Sequence, residues 1–148
     1  MNKEVTLGIY IPLFNEEDGI PQLKLEINKL INLINKKCVV KIVLIDDGSR
    51  DQTLKLLNKH FSEPLFKIIE HQHNKNLGGF LKTAINDCNY DYIAFLDSDC
   101  SYSPTLINSM FEKSLEGYDI VNASPYHPDG LVEGLGKIRW NRLFSSVK

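Results

Sequence analysis

The sequence predicts an α/β fold, with a mostly parallel sheet that is covered by helices on both faces. Short runs rich in β-branched residues alternate along the chain with longer segments of helical periodicity. The longer segments have the length that joins one parallel strand to the next through a right-handed crossover. One of the short runs is apolar on both faces, as a strand inside a covered parallel sheet should be.

Five strands are predicted, and each ends at a proline or at polar and turn-forming residues. The first strand ends at Pro12, and the second is apolar except at Lys41. The periodicity weakens after the fifth strand, so no regular element is predicted beyond it. The predicted strands are residues 5–12, 39–46, 65–71, 92–96 and 118–123.

Four helices are predicted between the strands, from apolar residues that recur at steps of three and four. Pro21 suits the first turn of the first helix. In the third helix, Leu77, Leu81, Ala84 and Ile85 are expected to face the sheet. The strands and helices together predict a Rossmann-like arrangement. The predicted helices are residues 20–34, 51–60, 77–88 and 104–115.

Length and composition limit the class of protein. The 148 residues suit one domain, and 43% hydrophobic with 24% charged residues excludes a disordered or fibrous chain. With 17 Lys and Arg against 19 Asp and Glu, the net charge is −2, which lacks the basic excess of nucleic-acid-binding proteins. The three cysteines show no C-x-x-C spacing and indicate a reducing compartment. Without a membrane-spanning apolar run or a signal peptide, we expect a soluble, cytoplasmic protein.

Polar and acidic residues follow the predicted strands at one edge of the sheet. Parallel strands end at the same edge, and open α/β sheets bind ligands beyond it. The second strand ends in the pair Asp46 and Asp47, and the fourth is followed by the triplet 97–99. Residues 13–16 and 124–126, after the first and fifth strands, extend this edge. The candidate site is therefore expected here.

The segment after the second strand combines a structural and a binding interpretation. Asp47 and Gly48 favour a tight turn, and Ser49 with Gln52 has the spacing of a helix capping box. Asp46 is not needed for that turn. Its carboxylate, which accepts hydrogen bonds, suits the ring N–H of a nucleobase or a ribose hydroxyl. On the residues alone, Asp46 is predicted to bind a ligand and its neighbours to form the turn.

Asp97 and Asp99 form a candidate metal site. In an extended segment, residues i and i+2 point to the same side, so both carboxylates can face one ion. Two hard oxygen donors with coordination positions left over suit Mg²⁺ or Mn²⁺ that is shared with a diphosphate. An Asp-x-Asp triplet alone is usually a solvated loop. Its position after an apolar strand favours metal binding.

Other features favour a structural interpretation, or leave a structural and a binding interpretation both open. The histidines of segment 71–73 have no third metal ligand nearby, and the cysteines suit buried positions. The glycine-rich segment 76–79 lacks the lysine and the spacing of a Walker A motif. Phe14, Tyr102 and Tyr126 could stack on a base or pack in the core, and periodicity does not decide between these.

Taken together, the strand ends resemble a known family. Residues 11–16 read IPLFNE, residues 45–53 IDDGSRDQT, residues 74–78 NKNLG and residues 95–99 FLDSD. In this order they resemble a family 2 glycosyltransferase, most closely the branch of dolichol-phosphate mannosyltransferase and related polyprenyl-phosphate glycosyltransferases. The segment 123–134 is similar to that branch as well.

The resemblance implies a GT-A fold and inverting transfer of a sugar from a GDP- or UDP-sugar. Asp97 and Asp99, with Ser101, would hold the metal beside the diphosphate and act in catalysis. Arg139 or Arg142 would approach the diphosphate or the acceptor. The other implied nucleotide-binding residues are Pro12, Phe14, Glu16, Asp46, Gly48, Ser49, Gly78 and Ser98.

Two departures from the family pattern affect these expectations. Pro125 stands where many members have an arginine, so one phosphate contact is missing or comes from elsewhere. The chain is also shorter than the family on the acceptor side. We expect a single domain with its nucleotide-binding half in residues 1–100 and the start of its acceptor half in residues 101–148. The resemblance allows association with the cytoplasmic face of a membrane and a partner chain that completes the acceptor side.

The expected reaction is attack by an acceptor oxygen on the anomeric carbon, with a nucleoside diphosphate as leaving group. If the acceptor is a polyprenyl phosphate, its oxygen is already an anion at neutral pH and needs little help from a general base. If the acceptor is a glycan hydroxyl, a base is needed, and the sequence offers no clear candidate.

Two alternatives belong to other functional classes. A truncated module could bind a nucleotide sugar without transferring the sugar. A response-regulator receiver would need an acidic pair after the first strand, an aspartate after the third and a lysine after the fifth. The sequence has none of these, which argues against a receiver.

Overall fold

The computed structural model describes residues 4–124 of the chain. Strands and helices alternate, which confirms the predicted α/β class. The elements are β1 (Thr6–Leu13), α1 (Ile20–Ile34), β2 (Val39–Asp46), α2 (Thr53–His60), β3 (Phe66–Glu70), α3 (Asn76–Asp87), β4 (Tyr92–Phe95) and α4 (Leu106–Leu115).

All described strand pairs are parallel, and the strand order is β3-β2-β1-β4. The chain first steps outward from β1 through β2 to β3, and then returns to place β4 on the other side of β1. Sheets of this kind bind ligands where the order reverses, which here is the carboxyl end of β1 and β4. The order also differs from the 2-1-3-4-5 arrangement of receiver domains.

Helices cover both faces of the sheet, as predicted. Along β1, Ile9 and Ile11 pack with the buried residues of α1, α2 and α4, whereas Tyr10 packs with Phe80 and Ala84 of α3 on the opposite face. This follows from the two-residue period of a strand. The larger core includes the apolar stripe of α1, and Pro21 lies in the first turn of that helix.

The apolar face of α3 differs from the prediction. Phe80 and Ala84 are buried, while Leu77 and Ile85 are 66% and 63% exposed. The Phe80 ring packs edge-on against Phe95, with centroids 5.8 Å apart, and its burial sets the rotation of the helix. At about 100° per residue, Ile85 lies about 140° around the helix from Phe80 and cannot share that stripe.

The predicted fifth strand is wrong. Within the described part of the chain, residues 118–123 form no strand, and Ile120 is 87% exposed. Short apolar runs do not by themselves distinguish a strand from an irregular segment, because a strand also needs a neighbour for its backbone hydrogen bonds.

Within residues 4–124, none of the helices has both the length and the apolar character of a membrane span.

Candidate functional site

A cavity of about 280 Å³ lies at the carboxyl edge of the sheet, where the strand order reverses. It is bounded by the ends of β1 and β2, the turn after β4 and the first turn of α3. Half of its lining residues are apolar and half are polar or charged, and small-molecule sites likewise combine apolar surface with polar groups that orient the ligand. The lining residues are Pro12, Leu13, Phe14, Glu16, Asp47, Asn74, Asn76, Leu77, Phe80 and Ser98.

At the end of β2, Asp47 lines the cavity and Asp46 does not. Asp46 is 1% exposed, and its Oδ1 accepts a hydrogen bond of 2.5 Å from the Ser49 hydroxyl. Alternation along the strand places Asp46 on the face of α1 and Asp47 on the face of α3. The residue predicted to bind a ligand therefore closes the turn, and its neighbour faces the cavity. The sequence does not show which of Asp46 and Asp47 faces the cavity, because β2 is apolar on both faces.

Asp47 is joined to a buried polar chain that the sequence did not predict. Its Oδ1 lies 2.6 Å from Nδ1 of His71, and Nε2 of His71 lies 2.8 Å from Oγ1 of Thr83. His71 is 4% exposed. From the sequence, His71 is predicted to lie at the end of the third strand, without a functional partner. Its position directly after β3, beside the residue directly after β2, is the signal that could have paired it with Asp47.

Five hydrogen bonds join the loop after β1 to the loop after β2, and we call this set the loop clasp. Each bond runs from a backbone N–H on one side to a side-chain oxygen on the other, and one acceptor, Thr53, is the first residue of α2. The pairs are Asn15 N to Ser49 Oγ (2.9 Å), Glu16 N to Thr53 Oγ1 (2.7 Å), Glu17 N to Asp51 Oδ2 (3.2 Å), Arg50 N to Asn15 Oδ1 (2.8 Å) and Gln52 N to Glu17 Oε2 (2.7 Å). The clasp holds two walls of the cavity in register.

The predicted capping box of Ser49 and Gln52 does not form. Helix α2 begins at Thr53, and Gln52 at its N-cap makes no side-chain capping bond. The Ser49 hydroxyl instead donates to Asp46 and accepts from the backbone of Asn15. The Ser49 hydroxyl, which a local cap would have used, is therefore occupied by Asp46 and by Asn15 of another loop.

Replacing Thr53 with valine should weaken the loop clasp. Thr53 is fully buried, and valine would leave the Glu16 N–H without its acceptor. The expected loss in the free energy of unfolding is about 1–3 kcal/mol, measured by urea denaturation. Thr53→Ser retains the hydroxyl and should be clearly more stable than Thr53→Val. Equal stability of the two variants would contradict a role for this bond.

Asp51 should make the stability of the clasp depend on pH. Partial burial acts to raise the pKa of Asp51, but hydrogen bonds from Thr53 and Glu17 outweigh it and hold the pKa below its usual value. The stabilisation is complete above the ordinary aspartate pKa and is lost as pH falls through the lowered one. The stability difference between the wild type and Asp51→Asn, from urea unfolding, should therefore shrink between about pH 5 and about pH 2. A constant difference would contradict this.

The acidic residues after β4 lie in a turn, not in the extended segment that the sequence argument assumed. Asp99 accepts from Ser101 twice, at 2.9 Å from the backbone N and 2.5 Å from the hydroxyl, and these bonds lower the pKa of Asp99. Within residues 4–124, the exposed carboxylate of Asp97 has no hydrogen-bond partner. Ser98 lines the cavity, so the two carboxylates flank a residue of its wall.

The oxygen donors of this turn fit a hard divalent cation that is only partly ligated by protein. Asp97 has no hydrogen-bond partner among the described residues, and Asp99 keeps unused lone pairs, since each carboxylate offers about four acceptor sites. The described residues contain no group of three or more His, Cys, Asp or Glu side chains placed to hold a metal. Any cation here would need further oxygens, such as those of a diphosphate. The turn is two strands from Asp47, about 10 Å across the sheet.

The other predicted site residues divide into three groups: those that line the cavity, those that do not, and those outside the described residues. Pro12, Phe14, Glu16 and Ser98 line the cavity, and Phe14 is 44% exposed. Three others do not line it and lie close by: Gly48 and Ser49 in the turn after β2, and Gly78 in the first turn of α3. Arg139, Arg142, Pro125 and Tyr126 lie outside the described residues.

Comparison with known proteins identifies similar chains. The sequence model of Glycosyl transferase family 2 matches residues 8–146. An uncharacterized glycosyltransferase of Synechocystis sp. is 31% identical over 121 residues, which are 81% of this chain and 37% of the relative. An undecaprenyl-phosphate 4-deoxy-4-formamido-L-arabinose transferase of Yersinia enterocolitica is 31% identical over 123 residues, 82% of this chain and 37% of the relative. The chain thus spans little more than a third of the length of these relatives.

Two solved structures illustrate the similarity of fold. TarS of S. aureus (residues 1–349) has a TM-score of 0.55 and 24% identity, over 64% of this chain and 28% of that one. The mannosyltransferase PcManGT of Pyrobaculum calidifontis, solved with GDP-Man and Mn²⁺, has a TM-score of 0.56 and 18% identity, over 66% and 28%. At this identity the likeness concerns the fold, and it confirms the GT-A expectation.

Proposed function

The chain belongs to glycosyl transferase family 2, and on this premise we propose that it forms the nucleotide-sugar-binding part of an inverting glycosyltransferase. The donor is a UDP- or GDP-sugar. The base lies in the cavity, and the diphosphate extends to the acidic turn after β4.

One observation carries this proposal: the cavity and the acidic turn share a wall. Phe14 and Leu77 line the cavity and are both exposed, so the Phe14 ring can stack on a base and Leu77 can add apolar contact. Asp47 adds a hydrogen-bond acceptor. Ser98, which also lines the cavity, lies between Asp97 and Asp99. A ligand that has an apolar, hydrogen-bonding group at one end and an anionic, metal-binding group at the other fits the cavity and the adjoining acidic turn.

Asp97 and Asp99 would hold Mg²⁺ or Mn²⁺ together with the diphosphate. When bound, such a cation supplies charge stabilisation to the departing nucleoside diphosphate. The protein orients the donor by holding its base between β1 and α3, while the loop clasp fixes the distance between the two sides of the cavity.

The acceptor we propose is a polyprenyl phosphate at the cytoplasmic face of a membrane. Relatives that carry undecaprenyl-phosphate in their names support this choice. The phosphate oxygen is already anionic at neutral pH, and among residues 4–124 no carboxylate–histidine pair other than Asp47 and His71 is in contact. Arg139 and Arg142 remain candidates for contacts to the diphosphate or acceptor, and further chain or a partner chain would complete the acceptor side.

A panel of nucleotides tests the proposal through thermal unfolding. UDP or GDP should raise the melting temperature of this chain more in the presence of Mn²⁺ than in its absence, since a ligand that binds only the folded state stabilises it. ADP and CDP serve as comparisons. If no nucleotide changes the melting temperature with or without metal, the proposed function is wrong. Sugar transfer to a polyprenyl phosphate then separates a transferase from a module that only binds nucleotide.

A further inference from the structure

We propose that His71 is a positioning residue that orients Asp47, so that the cavity selects bases carrying a ring N–H donor. The preferred bases are uracil and guanine, over cytosine and adenine. The inference rests on the proposed function, because it requires that a nucleotide base occupies the cavity.

The two oxygens of Asp47 have different surroundings. Oδ1 accepts from Nδ1 of His71 at 2.6 Å and from the backbone N of Lys75 at 2.9 Å. Oδ2 has no hydrogen-bond partner among residues 4–124, and in that part of the chain every buried side-chain oxygen or nitrogen has one. Oδ2 therefore keeps some exposed surface, although Asp47 as a whole is only 5% exposed, and we assign that surface to the cavity that Asp47 lines.

His71 is locked at both ring nitrogens. A carboxylate only accepts hydrogen bonds, so Nδ1 of His71 carries the proton that is donated to Asp47. Nε2 is held by the hydroxyl of Thr83 at 2.8 Å. His71 is only 4% exposed, and the two contacts at its ring nitrogens hold the ring in this orientation. His71 thus fixes the orientation of the Asp47 carboxylate before any ligand binds.

The same three side chains have the distances of a hydroxyl–imidazole–carboxylate triad, but the cavity lies at the carboxylate end and not at the hydroxyl end. Thr83 does not line the cavity, whereas Asp47 does. A substrate in the cavity would therefore meet the carboxylate and not the hydroxyl. The arrangement suits recognition of a donor group and not nucleophilic attack by Thr83.

A fixed acceptor distinguishes bases by their ring nitrogen. Uracil N3 and guanine N1 carry a hydrogen and can donate to Oδ2, while cytosine N3 and adenine N1 carry a lone pair that would face it. Sites built to bond a donor strongly reject an analogue that lacks it, because the buried partner is left unpaired. A carboxylate free to rotate would lose part of this selection.

The test is the ratio of dissociation constants for UDP and CDP, and for GDP and ADP, by calorimetry with Mn²⁺. We expect the wild type to favour at least one ring N–H nucleotide, UDP over CDP or GDP over ADP, by tenfold or more. His71→Asn retains an amide near the position of Nδ1 and should keep the preference. His71→Gln places its amide near Nε2 and should reduce the ratio to about threefold or less.

Asp47→Asn provides a second variant that does not depend on the fold tolerating changes at His71. The donors His71 Nδ1–H and Lys75 N–H should hold the amide oxygen at the position of Oδ1, which directs the amide N–H₂ into the cavity. The variant should then favour CDP over UDP. An unchanged preference in both His71→Gln and Asp47→Asn would overturn the inference.

The outcomes separate this inference from the proposed function. A wild type that binds UDP and CDP equally, and GDP and ADP equally, would overturn the role of His71 and leave nucleotide binding intact. A wild type that binds none of the four nucleotides would overturn the proposed function, and the inference with it.

Discussion

Gly48→Ala is expected to lower the free energy of unfolding by about 2–5 kcal/mol. Gly48 has a φ of +76°, which an L-residue adopts only with strain. A Cβ at this position would lie 2.7 Å from the carbonyl carbon of His73 and 2.8 Å from the backbone N of Asn74. Both contacts are to backbone, so relief would require the loop after β3 to move. Urea denaturation of both proteins gives the difference.

Gly78→Ala is the matched control. A Cβ at Gly78 meets no atom within 4 Å, and the residue lies in α3, where alanine is the better helix former. The control should be as stable as the wild type or more stable by about 0.5–1 kcal/mol. Equal midpoints for Gly48→Ala and Gly78→Ala would show that the turn after β2 is not tightly packed on the loop after β3.

Asp97→Asn should lower the metal-dependent affinity for UDP or GDP by about tenfold or more, which corresponds to about 1.4 kcal/mol. Its carboxylate has no hydrogen-bond partner in the described part of the chain, so the change removes a ligand without breaking a contact within that part. Stability in the absence of nucleotide should therefore be unchanged. Titration of the nucleotide at several Mn²⁺ concentrations measures the effect.

Asp99→Asn and Asp119→Asn complete this comparison. Asp99 also holds the turn through Ser101, so its variant should lose stability as well as metal-dependent affinity. Asp119 is an exposed residue beyond the C-terminal end of α4 that does not line the cavity, and its variant should behave like the wild type. Metal-dependent affinity that is the same in the wild type and in Asp97→Asn would remove Asp97 from the metal site.

The parts of the fold that depend on local pattern could be predicted from the sequence. The stripe of α1 and the apolar run of β2 each had one consistent interpretation, and they defined the sheet and its carboxyl edge. The face of α3 could not be predicted, because five apolar residues competed for it and only the fit of Phe80 against Phe95 decides. The false fifth strand shows the same limit, since an apolar run does not reveal whether it has a neighbour.

The site was predictable in location but not in detail. Parallel strands guarantee that Asp47 and the turn after β4 lie at one edge, which the sequence could indicate. Which of Asp46 and Asp47 faces the cavity depends on the phase of a strand that is apolar on both sides. The loop clasp joins residues 34–37 positions apart, such as Glu16 and Thr53, and no local signal predicts such pairs. The contact between His71 and Asp47 also joins residues far apart in the sequence, so no local signal predicts it.

The most direct test of nucleotide binding in the cavity is a titration of the ¹⁵N-labelled chain with UDP or GDP and Mg²⁺, followed by NMR. The account predicts that the largest shift changes occur at the amides of Phe14, Asp47, Leu77 and Ser98, which line the cavity. Changes confined to the helix surface away from the carboxyl edge, or no changes at millimolar nucleotide, would contradict it.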